Sequence, residues 1–273
     1  MIEPGIYSTL SNAEYHADKA SLSRTSIKDF YRSPYYYYAM HLNSNRPERL
    51  ATRDMLFGSA FHTLILEQHL FNDEYAIEPE RVLLKDVGRT LYEAYKSQCE
   101  ELERTNKIVL SRDEYNTLMQ MREALARDSR IKELVDGGEI EKSFFWQDPA
   151  SELIVKARPD ILHRNMIVDL KTIGDASPHS FQRSMIDGWY HVQGAMIRDA
   201  VRTLQNVDIS NVINICVEKK YPFSIGIYII DEQALDYAET LYKSVLLNMK
   251  SCIINNRFDD YEAQVIGLPK WIT

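Results

Sequence analysis

The stretch that most constrains this 273-residue chain runs from Glu152 to Thr172. Glu152 to His163 and Met166 to Thr172 read as two apolar strands, and Arg164-Asn165 between them reads as a tight turn. Such a hairpin brings Asp160 on one strand close to Asp169 on the next. Asp169 and Lys171 are two residues apart, so their side chains share one face, while Leu170 points its side chain away and offers only its carbonyl. Val155, Ile161, Leu162, Ile167 and Val168 make these strands apolar. Charged groups inside such a hairpin are buried at a cost unless they bind something. Two converging carboxylates form a hard-oxygen site suited to Mg²⁺ or Mn²⁺. A lysine beside them can orient a water or stabilise charge on a phosphate. The pattern predicts metal-assisted phosphodiester hydrolysis, and a surface salt bridge is the plainer alternative.

The rest of the chain reads as a frame around that hairpin. Ser23 to about Met40 is helix-compatible, with a kink or restart at Pro34 followed by the run Tyr35 to Tyr38. Met55 to Leu70 has helical spacing, and Glu78 to Arg130 reads as mostly helical and strongly charged. Ser111-Arg112-Asp113-Glu114 is a capping box opening a helix through about Ala126. After Gly137-Gly138 the pattern changes. A strand from Glu139 to Gln147 precedes the two above, joined through Asp148-Pro149-Ala150-Ser151. Helices over about 178–186 and 189–204 follow, then paired strands at Val212 to Glu218 and Ser224 to Ile230. Asp231 caps a final helix through about Ile254, and the tail runs on to Thr273. This order predicts an α/β fold with a mixed central sheet flanked by helices, in one domain. Residues 1–135 would form a mainly helical part, and 136–273 the core sheet with its helices.

Composition excludes several classes. No apolar run approaches the roughly 20 residues a membrane helix needs, and the start Met1-Ile2-Glu3-Pro4 lacks the features of a signal peptide. Three scattered cysteines, Cys99, Cys216 and Cys252, suit a reducing cytoplasm and cannot supply four thiolates for an iron–sulfur cluster. Neither a P-loop nor a G-x-G-x-x-G motif occurs among the ten glycines, which argues against a motor or a dinucleotide-binding dehydrogenase. Net charge is −8, yet Arg24 to Arg53 carries six basic residues against two acidic ones, a local +4. That stretch fits phosphate tracking as well as it fits a solvated face.

Pro159-Asp160 … Asp169-Leu170-Lys171 resembles the PD-(D/E)XK nuclease signature. Other pieces narrow the resemblance to the RecE-type exonucleases (exonuclease VIII), relatives of lambda exonuclease and of the RecB nuclease domain. Pro4-Gly5-Ile6-Tyr7, with Asn12-Ala13-Glu14-Tyr15-His16, resembles the start of that domain. Ser21-Leu22-Ser23 … Ile27, then Ser33-Pro34 and the tyrosines, resembles its first helix. Gly58-Ser59-Ala60-Phe61-His62-Thr63-Leu64-Ile65-Leu66-Glu67 resembles its G-x-A-x-H-x-x-x-L-E helix, and Tyr190-His191-Val192-Gln193 its tyrosine–glutamine helix.

The resemblance implies roles. His62, Asp160 and Asp169 would be metal ligands, with the Leu170 carbonyl beside them and Glu141, or its neighbour Glu139, as a further acid. Lys171 would activate or orient water; Gln193 and Tyr190 would complete the site or hold the scissile strand. Arg24 and Ser23 are candidates for gripping a terminal 5′-phosphate, with Lys28 and Arg32 as further DNA contacts. His163, His179 and Cys216 read as structural. Many family members have Glu where Asp169 stands, and the shorter Asp implies a different metal spacing here. The implied activity is Mg²⁺-dependent (Mn²⁺ able to substitute) 5′-to-3′ digestion of one strand at double-stranded DNA ends, leaving 3′ tails for recombination. The implied setting is a homo-oligomeric ring, tetramer favoured over trimer, with a RecT-like annealing partner, in the cytoplasm of a bacterium or phage-infected host. Two alternatives are a Cas4- or RecB-like end processor without a cluster, and a catalytically inactive DNA-binding module on the same fold.

Overall fold

The computed structural model describes residues 2–48, 50–82 and 84–268. Arg49 of the basic stretch and the tail from 269 onward lie outside them. The N-terminal part runs β1 (Gly5–Tyr7), α1 (Asn12–Ala17), α2 (Arg24–Arg32), α3 (Pro34–Tyr37), α4 (Arg53–Leu66), α5 (Gln68–Glu74), β2 (Tyr75–Ile77), α6 (Leu84–Glu103), β3 (Ile108–Leu110), α7 (Arg112–Arg127) and α8 (Ser129–Val135). The remainder runs β4 (Glu139–Ile140), β5 (Ser143–Gln147), β6 (Ile154–Ala157), β7 (Ile161–Leu162), β8 (Met166–Ile173), α9 (Pro178–Gly188), α10 (Tyr190–Gln205), β9 (Asn211–Glu218), β10 (Ile225–Ile229) and α11 (Glu232–Asn255).

Hydroxyl and carboxylate caps start most of these helices. Ser23, Ser33, Thr52, Ser111 and Asp231 each accept a backbone N–H of the first turn, worth about 1 kcal/mol apiece. Ser33 ends α2 and restarts the chain as α3 with Pro34 at its first position, which then loosens into a π-helical turn over Tyr38–Leu42.

The central sheet has the order β10-β9-β8-β7-β4, mixed because β8 and β9 are parallel and the other pairs antiparallel. The parallel pair needs a crossover, which α9 and α10 supply. A second sheet, β1-β5-β6, is antiparallel throughout. Alternation along β8 divides the core. Val168 and Leu170 face Phe57, Phe61 and Met121 from the α4–α7 side, while Ile167 joins α10 and α11 on the other side. Asp169 and Lys171 therefore stand on the α10 side of the sheet.

Several sequence expectations need correcting. The segment from Glu139 to Gln147 is not one strand: β4 belongs to the central sheet and β5 to the second. The crossing is made at Glu141, whose φ of 51° lies in the left-handed region. The next strand breaks likewise into β6 and β7 around Arg158–Asp160. Gly138 permits this close weave, since a Cβ there would meet Ile161 Cγ2 at 2.3 Å. The helix expected over Met55 to Leu70 stops at Glu67, and α5 follows it. The charged Glu78 to Arg130 region conceals β3, which pairs in parallel with β2. Three residues are too few to show a strand period.

Candidate active site

The two carboxylates of the hairpin meet through the backbone. Asp160 immediately precedes β7, opposite the middle of β8, and its Oδ2 accepts the Leu170 N–H at 2.6 Å. Its other oxygen, Oδ1, lies 3.5 Å from Nδ1 of His62, delivered by α4 from across the sheet. Glu141, pushed inward by the left-handed crossing, completes a group in which ligand atoms of His62, Glu141 and Asp160 lie within 4.8 Å of one another. The Glu141 N–H is anchored on the Asp160 carbonyl at 3.1 Å. A left-handed glutamate carries strain of about 1–3 kcal/mol, a cost that clusters at functional sites.

Asp169 stands outside that trio. It pairs with the Lys171 ammonium, and its Oδ1 accepts from Gln193 Nε2 at 2.8 Å. Its Oδ2 has the lysine charge beside it but no hydrogen bond of proper geometry, although it is fully buried. Gln193 sits in the first turns of α10, and its Oε1 accepts from Lys171 Nζ at 3.4 Å and from Arg24 Nη1 at 2.7 Å. Tyr190 lies under both cations, with Lys171 Nζ 4.9 Å and the Arg24 guanidinium 5.9 Å from its ring centre.

Electrostatics follow from this crowding. Burial and then the Asp160 charge push the Glu141 carboxyl up to about 8. For His62, burial works against the imidazolium, but Asp160 outweighs it and raises the pKa to about 9. Burial also opposes ionisation of Asp160, yet His62, Lys171 and the Leu170 N–H hold its pKa below the usual value. Asp169 is raised by burial and by Asp160. Lys171 is raised because Asp169 and Asp160 outweigh its burial. Acids held this close to one another favour an added positive charge.

The residues present fit a divalent cation. The trio offers two carboxylates and an imidazole, and the nearby Asp169 has a buried Oδ2 held only by its ion pair with Lys171. Such a set accommodates Mg²⁺ or Mn²⁺, with the imidazole extending its reach to borderline ions.

Other expected residues sit differently. Glu139 is exposed and paired with Lys142 at 2.5 Å, away from the trio. Ser23 caps α2, its Oγ accepting from the Ser26 N–H. Lys28 donates to the Asp187 carbonyl, and Arg32 is exposed over the Tyr36 ring at 4.0 Å. Of the tyrosine run, Tyr37 is buried and Tyr38 stacks on Phe258. His163 binds the Leu134 carbonyl at 2.8 Å, and Cys216 is buried on β9, in register with Lys171 on β8.

Sequence reading assigned no role to Arg158. Its Nη1 lies 3.7 Å from Glu141 Oε2, and Nε donates to Ser143 Oγ at 2.7 Å. Adjacency to Pro159-Asp160 was the available signal. Arg24 is a phosphate candidate from sequence, but its bond to Gln193 has no sequence signature.

An acid pair and a lysine on adjoining strands of a mixed sheet, closed by a histidine helix and a glutamine helix, is the fold of the PD-(D/E)XK nucleases. Residues 23–265 match the family model described as a PDDEXK-like domain of unknown function (DUF3799), and the chain belongs to that family. The chain also resembles the crystal structure of a "putative exonuclease" from Eubacterium rectale, with a TM-score of 0.63 at 16% identity, over 94% of this chain and 96% of that one. No curated protein matches it in sequence. Among the described residues no helix is long and apolar enough to cross a membrane.

Proposed function

We propose that the chain is a divalent-cation-dependent exodeoxyribonuclease that digests one strand of duplex DNA from its end, 5′ to 3′, and leaves 3′ single-stranded tails for recombination. The observation that carries this reading is Lys171, half-buried between Asp169 and Gln193 beside the His62–Glu141–Asp160 trio. His62, Glu141 and Asp160 would hold the cation, with Asp169 and the Leu170 carbonyl next to it. When bound, Mg²⁺ or Mn²⁺ supplies Lewis acidity toward a phosphate and acidifies a water. Lys171 holds an attacking water or phosphate oxygen by charge-assisted hydrogen bonding. Gln193 fixes the orientation of both Lys171 and Asp169, and Arg24 adds a fixed positive charge where a phosphate would lie. The polarity, and the association as a homo-oligomeric ring (tetramer over trimer) with a RecT-like annealing partner in the cytoplasm, rest on the RecE-type resemblance.

The test is digestion of duplex labelled separately at each 5′ and 3′ end, with Mg²⁺, with Mn²⁺ and with EDTA. We expect early mononucleotide release from the 5′ label, silence in EDTA, and at least a 10²-fold loss in Lys171→Ala. Undiminished digestion by that variant would sink the assignment.

A further inference from the structure

We propose that the exposed face of α2 is a track for single-stranded nucleic acid leading away from the candidate active site, with Tyr31 as its base-stacking platform. This rests on the nuclease reading for its direction, but its residues lie outside the cation site. Arg24, Lys28 and Tyr31 are spaced i, i+4 and i+7, so they form one stripe along the helix. Each is placed by the α9–α10 junction. Arg24 is bonded to Gln193, Lys28 to the Asp187 carbonyl, and Tyr31 lies against Trp189 with ring centres 5.2 Å apart.

Trp189 is itself fixed. It is buried, in the left-handed conformation (φ 58°) that joins α9 to α10. Tyr31 therefore has a rigid aromatic support on one side and solvent on the other, being 57% exposed. An aromatic of that size left open beside cations is what a base stacks on, and stacking tolerates any sequence. Arg32, one residue further and exposed, extends the positive line, while the Asp29 carboxylate on the same helix is hydrogen-bonded to His41 Nε2 at 2.8 Å. Arg24 to Tyr31 spans about 10 Å of helix, roughly three steps of a stacked strand at about 3.4 Å each. The platform would thus take a base about three nucleotides from the scissile phosphate.

The experiment uses the full chain carrying Asp169→Asn, so that DNA survives. Binding of a fluorescein-labelled 12-mer of deoxythymidine is followed by anisotropy at low salt without divalent cation. Three further substitutions are compared: Tyr31→Ala, Tyr31→Phe, and Tyr92→Ala, which removes a tyrosine on α6 that also carries a cation, Lys96, over its ring. We expect about tenfold weaker binding for Tyr31→Ala, and unchanged binding for the other two. Because Tyr31 is exposed, its loss should leave the circular dichroism spectrum unaltered. Binding by Tyr31→Ala within twofold of its parent, an equal loss in Tyr92→Ala, or no binding by the parent would each overturn the track. Tyr31-dependent binding in a chain whose unsubstituted form cleaves nothing would remove the nuclease reading and leave the track standing. Cleavage with an unchanged KM in Tyr31→Ala would do the reverse.

Discussion

Gln193 Nε2 donates to Asp169 Oδ1 at 2.8 Å, and this one bond ties the crossover helix α10 to the acid strand β8. The amide's oxygen faces Lys171 and Arg24, so Gln193 presents a donor to the anion and an acceptor to the cations. Gln193→Glu would set two carboxylates against each other; Gln193→Ala would leave Asp169 with the lysine alone. Both should lower kcat for DNA cleavage by about 10²-fold, with the urea midpoint shifted little for the alanine variant. Steady-state rates on end-labelled duplex check this.

Arg158 reaches Glu141 from behind the trio. Second-layer groups of this kind typically govern about 10–100-fold in metal affinity. Arg158→Met should weaken Mn²⁺ binding by that factor in titration calorimetry, and Arg158→Lys should recover part of it. An unchanged Mn²⁺ isotherm in Arg158→Met would show that the guanidinium serves only Ser143 and the Leu10 carbonyl, to which it also donates.

Gly194 lets α10 lie directly on β9. A Cβ at that position would stand 2.6 Å from Val212 Cγ1. Gly194→Ala should therefore destabilise the fold by about 1–3 kcal/mol despite its higher helix propensity. Adding Val212→Ala should restore part of the loss in urea denaturation, because the clashing methyl is gone.

Glu239 on α11 accepts from Arg202 at 2.8 Å and Lys243 at 2.7 Å. Burial works against its charge, but these bonds win and hold the carboxyl down at about 2. A depressed folded pKa means the contribution is complete above the ordinary carboxylate value near 4.5 and fades as pH falls toward about 2. Glu239→Gln should cost roughly 1–2 kcal/mol at pH 7, after allowance for solvent screening, and almost nothing at pH 2. Thermal denaturation across that window distinguishes the two ends; equal loss at both would refute the charge-based account.

The hairpin and the long helices were legible because their signals are local. Asp231, Ser111 and the alternation along β8 each announce themselves within a few residues. The weave between the two sheets was not legible. It depends on one left-handed residue, Glu141, and a glutamate carries no propensity for that conformation. The same event moved Glu141 to the trio and left Glu139 outside, a choice that alternation alone leaves open. Asp169's bond to Gln193 was likewise invisible, since it joins β8 to α10. A hydroxyl before a helix serves equally as a cap or an anion grip, and sequence does not separate the two; the Ser23 Oγ does accept from the Ser26 amide.

The crossing at Glu141 also bears on when the chain becomes dangerous to its maker. His62 leaves the ribosome long before Asp160, and Gln193 later still. Glu141 stands between β4 of the central sheet and β5 of the second, so its place in the trio depends on both sheets. A nascent chain that stops short of Asp160 therefore lacks part of the cation site, and one that stops short of Gln193 lacks the group that orients Asp169 and Lys171.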